Sequence, residues 1–267
     1  MHPANSGRTY ERAVLGRTGL PVCRLGVASS YGVPAAAVER AFEQGVNYFY
    51  WGSARRGGFG QGVGNLAPQR NRFVLVIQSY SRLANLVSWS LERALRKLKF
   101  DYADVLLLGL WNKPVPERIV DAARQVKERG LVRFIGISSH NRPVIRQFIS
   151  ETQFDVIHFR YNAAHTGAES DIFPHLAEQN RPGMVSYTAT SWKQLMDPSK
   201  VPKGERIPTA ADCYRFVLAR PEVDVCMTGP ANSQQMNEAL EALRPGPMTE
   251  AELAWMRRVG AAVRGKP

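Results

Sequence analysis

One pattern recurs eight times between residues 23 and 229. A short apolar run rich in β-branched residues is followed by a glycine-bearing or polar loop and then by a stretch of helical periodicity. The runs fall at 23–29, 47–51, 73–79, 103–110, 132–139, 156–162, 184–189 and 223–229. Several are continuous, as in the VLLLGL of 105–110, which suits strands buried on both faces of a parallel sheet. Eight strand–helix alternations predict a closed (β/α)8 barrel, the TIM-barrel form of the α/β class, rather than an open sheet.

The intervening segments carry matching helix signals. Pro34 can open a helix over 34–43. Residues 85–98 place Val87, Leu91, Ala94, Leu95 and Leu98 on one stripe. A helix over 116–129 is closed by Gly130, and others are expected at 142–150, around 171–178, at 210–219 and at 233–243. The second helix is the exception, because 57–64 is so rich in glycine that it reads as short or lost. Before the barrel, 10–22 reads as a hairpin turning at Gly16-Arg17-Thr18-Gly19. After it, Thr249 and Glu252 have the spacing of a capping box and start a C-terminal helix. The chain is expected to be one domain over 1–267, with 1–9 disordered. The loop 190–208 is the one long connection and is placed to cover a ligand.

Composition narrows the class. A length of 267 residues suits one barrel of about 250. No apolar run approaches the ~20 residues of a membrane span, and the opening MHPANSGRTYERA has no signal-peptide core. A cytoplasmic location and no membrane partner are therefore expected. Cys23, Cys213 and Cys226 are isolated and read as reduced packing thiols. The net charge of +12 comes from scattered basic residues such as Arg93, Arg96, Lys97 and Lys99, with no nucleic-acid-binding motif. A solvated basic surface, or a pocket for an anion, explains it better. Oligomeric state is not legible.

Barrels place their working groups at the C-terminal strand ends. The second of these ends here in GVNYFYWGSARRGGFG, residues 45–60, with aromatic residues, two arginines and no acid. His140 and His158 also fall at strand ends and could serve as an acid–base pair. No carboxylate or third histidine accompanies them, so no metal is expected. His165 and His175 read as surface residues. Trp51, Trp111 and Trp192 are expected to gather at the mouth in an aromatic pocket. Arg55, Arg56 and Arg160 would attract an anion there, so the expected ligand is a small molecule, anionic or aromatic.

The segments LGRTGLPVCRLG, GVNYFYWGSA, KFDYADVLLLGLW, KERGLVRFIGISSHN, FDVIHFRYN, GMVSYTA and TGPANSQQMNEAL resemble, in this order, the signatures of the aldo-keto reductases. The resemblance runs from about Arg12 to Arg258. It implies hydride transfer from NADH or NADPH to a carbonyl. A tyrosine gives the proton, its pKa lowered by a lysine that an aspartate holds, and a histidine orients the substrate. In this chain Tyr50 stands at the aspartate position and Arg55 at the tyrosine position. The lysine position falls on Gln78, or on Ser79 if the register slips by one, and the histidine position on Gly109. All four are replaced. Tyr50 could supply a phenol or simply pack, and Arg55 could stabilise an oxyanion without giving up a proton. A lost general acid costs on the order of 10²–10⁴ in rate, so the usual reduction is expected to be crippled.

The cofactor half implied by the same resemblance is partly kept. Ser138 matches the serine that grips the nicotinamide amide, with Ser139 where asparagine is usual, and His158 replaces a glutamine that also holds the amide. Tyr187 keeps the stacking aromatic. Gly229 and Asn232 lie in the phosphate loop, Gln235 replaces an arginine that reads the 2′-phosphate, and Glu238 matches the acid on the adenine amine, beside Ala239. The missing arginine argues against strong selectivity for the 2′-phosphate. Three readings stay open. One is a residual or altered NAD(P)H-dependent reductase working through Tyr50 or His158; another is a non-redox enzyme using Arg55 and His158. The third is a catalytically inactive barrel that binds a ligand or a protein.

Overall fold

A computed structural model describes residues 12–52 and 57–265. Strands β3 (Leu25–Ala28), β4 (Tyr48–Trp51), β5 (Val74–Ser79), β6 (Ala103–Leu108), β7 (Val132–Ser139), β8 (Val156–Arg160), β9 (Gly183–Tyr187) and β10 (Val225–Thr228) form one closed barrel. Every neighbouring pair is parallel, including β10 with β3, which closes the ring. The (β/α)8 expectation is met. Around it lie α1 (Ala35–Glu43), α2 (Gly57–Asn65), α3 (Ala84–Leu98), α4 (Glu117–Glu128), α5 (Arg142–Ser150), α6 (Ala168–Asp171), α7 (Ala210–Leu218), α8 (Ser233–Leu240) and α9 (Glu250–Arg264).

Strand alternation sorts side chains into two cores. Tyr48, Val74, Val76, Val105, Leu107, Val156, Val185 and Val225 point inward and fill the barrel. The hairpin β1 (Ala13–Val14) and β2 (Pro21–Val22) closes the bottom of that core with Leu15 and Val22. Its turn packs tightly. A β-carbon on Gly16 would lie 2.3 Å from the Gly183 nitrogen, and Arg17 N–H donates to the Arg181 carbonyl at 2.7 Å. The larger core lies between strands and helices and takes the α3 stripe of Val87, Leu91, Ala94, Leu95 and Leu98, all buried as the sequence spacing required. Capping boxes at Thr209/Asp212 and Thr249/Glu252 start α7 and α9.

At the N-terminal strand ends, two buried acids tie neighbouring segments together. Asp104 accepts from Arg70, Arg133 and the Leu75 amide, and Asp224 from Arg181 and the Met184 amide. Cys23, Cys213 and Cys226 are buried free thiols. Among the described residues, no helix is long and apolar enough to cross a membrane.

Two helix expectations need correction. The glycine-rich 57–64 is not a lost helix: α2 runs from Gly57 to Asn65. Its glycines let it approach its neighbours, since β-carbons at Gly58 and Gly62 would each lie 2.8 Å from α1-side carbonyls, of Val33 and Ala35. Tertiary contact overrides their poor propensity. The helix expected around 171–178 lies earlier, as α6 and a 3-10 turn at Phe173–His175, because Pro174 cannot continue an α-helical ladder. The expected disorder of 1–9 lies outside the described residues.

Candidate functional site

A cavity of about 420 Å³ opens at the C-terminal end of the barrel. Its floor and walls come from inward positions at the strand ends: Tyr50 on β4, Gln78 on β5, Ser138 on β7, His158 on β8 and Tyr187 on β9. The loop after β9 contributes Thr188, Thr190, Trp192 and Lys193, so the long connection does border the cavity. The same alternation corrects the tryptophan expectation. Trp51 points out of the barrel and packs on Phe59, with ring centres 6.0 Å apart. Trp111 is buried beneath the Arg82 guanidinium at 4.0 Å. Only Trp192 of the three borders the cavity. Its aromatic character comes instead from Tyr31, Tyr50, Tyr80, Tyr187 and Tyr214. Arg160 does not line it, and Lys193 is its one permanent charge among the described residues. Arg55 and Arg56 lie outside the described residues.

Beneath the cavity, the Tyr48 hydroxyl meets Nε2 of His158 at 2.8 Å, with both side chains buried. Burial lowers the His158 pKa to about 3 and pushes that of Tyr48 far up, so both are neutral near pH 7. Tyr50 lies beside them, its ring centre 5.8 Å from that of His158. Burial, then the Tyr80 hydroxyl to which it is hydrogen-bonded, raises its pKa well above the usual phenol value. Tyr48 was not singled out from sequence. The signal was available, because a residue two before Tyr50 on the same strand faces the same way.

The strand register settles the choice between Gln78 and Ser79. Gln78 faces the cavity, while the Ser79 hydroxyl turns outward to that of Ser90 at 2.8 Å. A β-carbon on Gly109 would lie 2.3 Å from Nε2 of Gln78 and 2.7 Å from Cδ1 of Tyr80. The space a side chain at 109 would need is thus filled by the glutamine amide and the tyrosine ring.

Five of the eight expected cofactor contacts line the cavity: Ser138, His158, Tyr187, Gly229 and Gln235. Ser138 Oγ accepts from the Leu110 amide at 2.9 Å and keeps a hydroxyl proton to donate. The Tyr187 hydroxyl donates to the Ser139 carbonyl at 2.9 Å, and its ring stands edge-on to His140, whose pKa burial lowers. Ser139 does not join them. Its side chain points to the helix layer, donating to Asn112 and accepting from the Asn141 amide, which is a correction to its expected ligand role.

The other end differs more. Asn232 caps α8 by accepting from the Gln235 amide at 2.9 Å, and Gln235 Oε1 accepts from the Ala231 amide at 2.9 Å. The Tyr31 ring lies on Gly229, where a β-carbon would come within 2.7 Å of it. Glu238 is exposed and accepts from Gln234 Nε2 at 3.0 Å. A nicotinamide dinucleotide therefore fits this site only in part. Ser138 and Tyr187 could meet the nicotinamide, while at the α8 end the Gln235 amide and the neighbouring Ala231 amide, two of the donors that could meet a pyrophosphate, are taken by the Asn232 and Gln235 side chains. Among the described residues, no group of three His, Cys, Asp or Glu side chains is placed to hold a metal ion.

Comparison with known proteins agrees with the sequence signatures. The aldo/keto reductase family model matches residues 78–192. The chain is 24% identical over 284 residues to L-galactose dehydrogenase of Arabidopsis thaliana, covering 87% of this chain and 88% of that protein. It is 25% identical over 150 residues to methylglyoxal reductase DkgA of Yersinia pestis, covering 54% and 52%. Among solved structures, aldo-keto reductase AKR11C1 from Bacillus halodurans in its holo form superposes with a TM-score of 0.79 at 19% identity, covering 94% of this chain and 97% of that one.

Proposed function

We propose that this chain is an aldo/keto reductase family member whose mouth binds a small neutral molecule without carrying out the family's usual carbonyl reduction. The observation that carries this reading is the filling of the Gly109 site by Gln78 and Tyr80. Hydride arriving at a carbonyl creates an alkoxide, which needs a proton and nearby positive charge. The groups that face the cavity floor supply neither readily. Tyr50 is a phenol whose pKa is raised rather than lowered, and His158 is neutral. Gln78 offers an amide where the family has an ammonium.

What these residues can do is bind and orient. Tyr50, Tyr80, Tyr187 and Ser138 bring hydroxyls to a cavity walled by aromatic rings, with no acid in its lining among the described residues. That combination suits a ligand with a flat apolar face and several hydrogen-bonding groups. The activity named for the plant relative makes neutral monosaccharides the first class to test, with aromatic alcohols beside them.

Purified protein assayed with NADPH or NADH and simple aldehydes should turn over at least about 10²-fold more slowly than the plant relative run in parallel. A bound ligand should raise the melting temperature by mass action. Reduction at the relative's rate sinks the proposal. A second reading rests on the retention of Ser138 and Tyr187: residual reduction in which Tyr50 is the acid. In that case Tyr50→Phe removes whatever turnover remains.

A further inference from the structure

The mouth of the barrel carries a surplus of positive charge. The described strand-to-helix segments of the mouth (29–34, 80–83, 109–116, 140–141, 161–167, 188–209 and 229–232) contain six cations: Arg82, Lys113, Lys193, Lys200, Lys203 and Arg206. They contain only two acids, Asp197 and Glu205. Glu205 is paired with Arg258 at 2.6 Å, and Asp197 accepts from Ser199. Arg206 is paired with Asp212 at 2.9 Å, whereas the other five cations are exposed and in no ion pair among the described residues. At the opposite end, the helix-to-strand segments from 44–47 to 219–224 hold six cations and six acids, and the hairpin that closes this end adds Arg12, Arg17 and Arg24. Both ends are therefore basic, the mouth with a surplus of four cations.

That face is also where the exposed apolar side chains are. Of the nine large hydrophobic residues exposed among those described, Tyr31, Tyr80, Leu83, Leu110, Trp192 and Ile207 lie in these mouth segments, each between 36% and 57% exposed. Leu86 and Trp89 continue from Leu83 at helical spacing on the outer side of α3. Only Val14, on the bottom hairpin, lies elsewhere.

We propose that this face docks on an anionic lipid surface, with the cavity mouth turned towards the bilayer. The apolar residues come from four separate loops around the mouth, so a flat partner meets them together, whereas a single peptide helix would cover one stripe. Lysines and arginines interspersed with Trp, Tyr and Leu match a headgroup layer that is charged outside and apolar beneath. A second copy would bring the same unpaired cations against one another. The proposal concerns a peripheral surface, so it replaces the expectation of no membrane partner without needing a spanning segment. Tyr31, Tyr80, Leu110 and Trp192 also line the cavity, so the substitutions below fall on mouth residues outside its lining and leave the ligand reading untouched.

The test is co-sedimentation of the full chain with vesicles of phosphatidylcholine alone and with roughly one third phosphatidylserine. Binding is expected to the anionic vesicles only. It should fall at least about tenfold in Leu83→Ser/Ile207→Ser, and similarly in Lys113→Glu/Lys200→Glu/Lys203→Glu. All five positions are exposed, and an unchanged melting temperature in each variant confirms that the fold is intact. Three outcomes overturn the proposal: no sedimentation with either vesicle, binding that survives loss of the apolar pair, or a dimer in light scattering that the same apolar substitutions dissolve.

Discussion

Gln78, Tyr80 and Gly109 form one unit. With the amide 2.3 Å from where a β-carbon at 109 would be, placing a histidine there while Gln78 and Tyr80 remain requires one of them to move. The resemblance in sequence led to the expectation that both 78 and 109 are replaced positions. It could not show that the replacements depend on each other, because that follows from the pairing of β5 with β6. His158 offers a residue-scale prediction. Its folded pKa of about 3 lies below the ordinary histidine value of about 6.5, so the unfolded chain takes up a proton that the folded chain does not. Stability from this source is complete above about pH 6.5 and declines as pH falls towards 3, with a limiting slope of about 1.4 kcal/mol per pH unit. Chemical denaturation of wild type and His158→Gln between pH 7 and 5, above the main carboxylate range, should show a shallower decline in the variant. Parallel curves would mean that His158 is readily protonated in the folded protein.

At the scale of elements, α2 separates local preference from packing. Glycine inside a helix costs about 1 kcal/mol relative to alanine, so alanine scanning of this segment is expected to divide by contact. A β-carbon on Gly64 meets nothing nearer than 4.0 Å, and Gly64→Ala should stabilise by up to about 1 kcal/mol. A β-carbon on Gly60 would lie 2.9 Å from the Trp51 ring, and Gly60→Ala should destabilise by about 1–3 kcal/mol through overpacking. Urea denaturation of the two variants gives the signs directly; stabilisation by both would show that α2 is loosely packed. The helix looked absent in sequence because its evidence lay in what it touches. The α3 stripe, by contrast, was legible to the residue, since its period alone determined which side chains are buried.

For the whole molecule, stability and binding are set at opposite ends. Asp104 accepts from two arginines and a strand amide at the bottom, far along β6 from the cavity. Removing it leaves the largely buried Arg70 without its carboxylate, so Asp104→Ala should cost about 3–5 kcal/mol in denaturation. Any ligand found to bind wild type should bind the surviving folded fraction with unchanged affinity. A large affinity loss would show that the bottom of the barrel shapes the mouth.

By itself the sequence determined the eightfold alternation, the hairpin before it, the helix after it and the family signatures. These follow from short-range periodicity and from strings of neighbouring residues, which are local properties of the chain. Only the tertiary structure decided which strand-end side chains share a cavity. Side chains alternate between barrel interior and helix layer, so a shift of one position separates Tyr50 from Trp51, Gln78 from Ser79 and Ser138 from Ser139. The Tyr48–His158 hydrogen bond likewise joins residues 110 positions apart, and it exists only because the ring of strands closes around them.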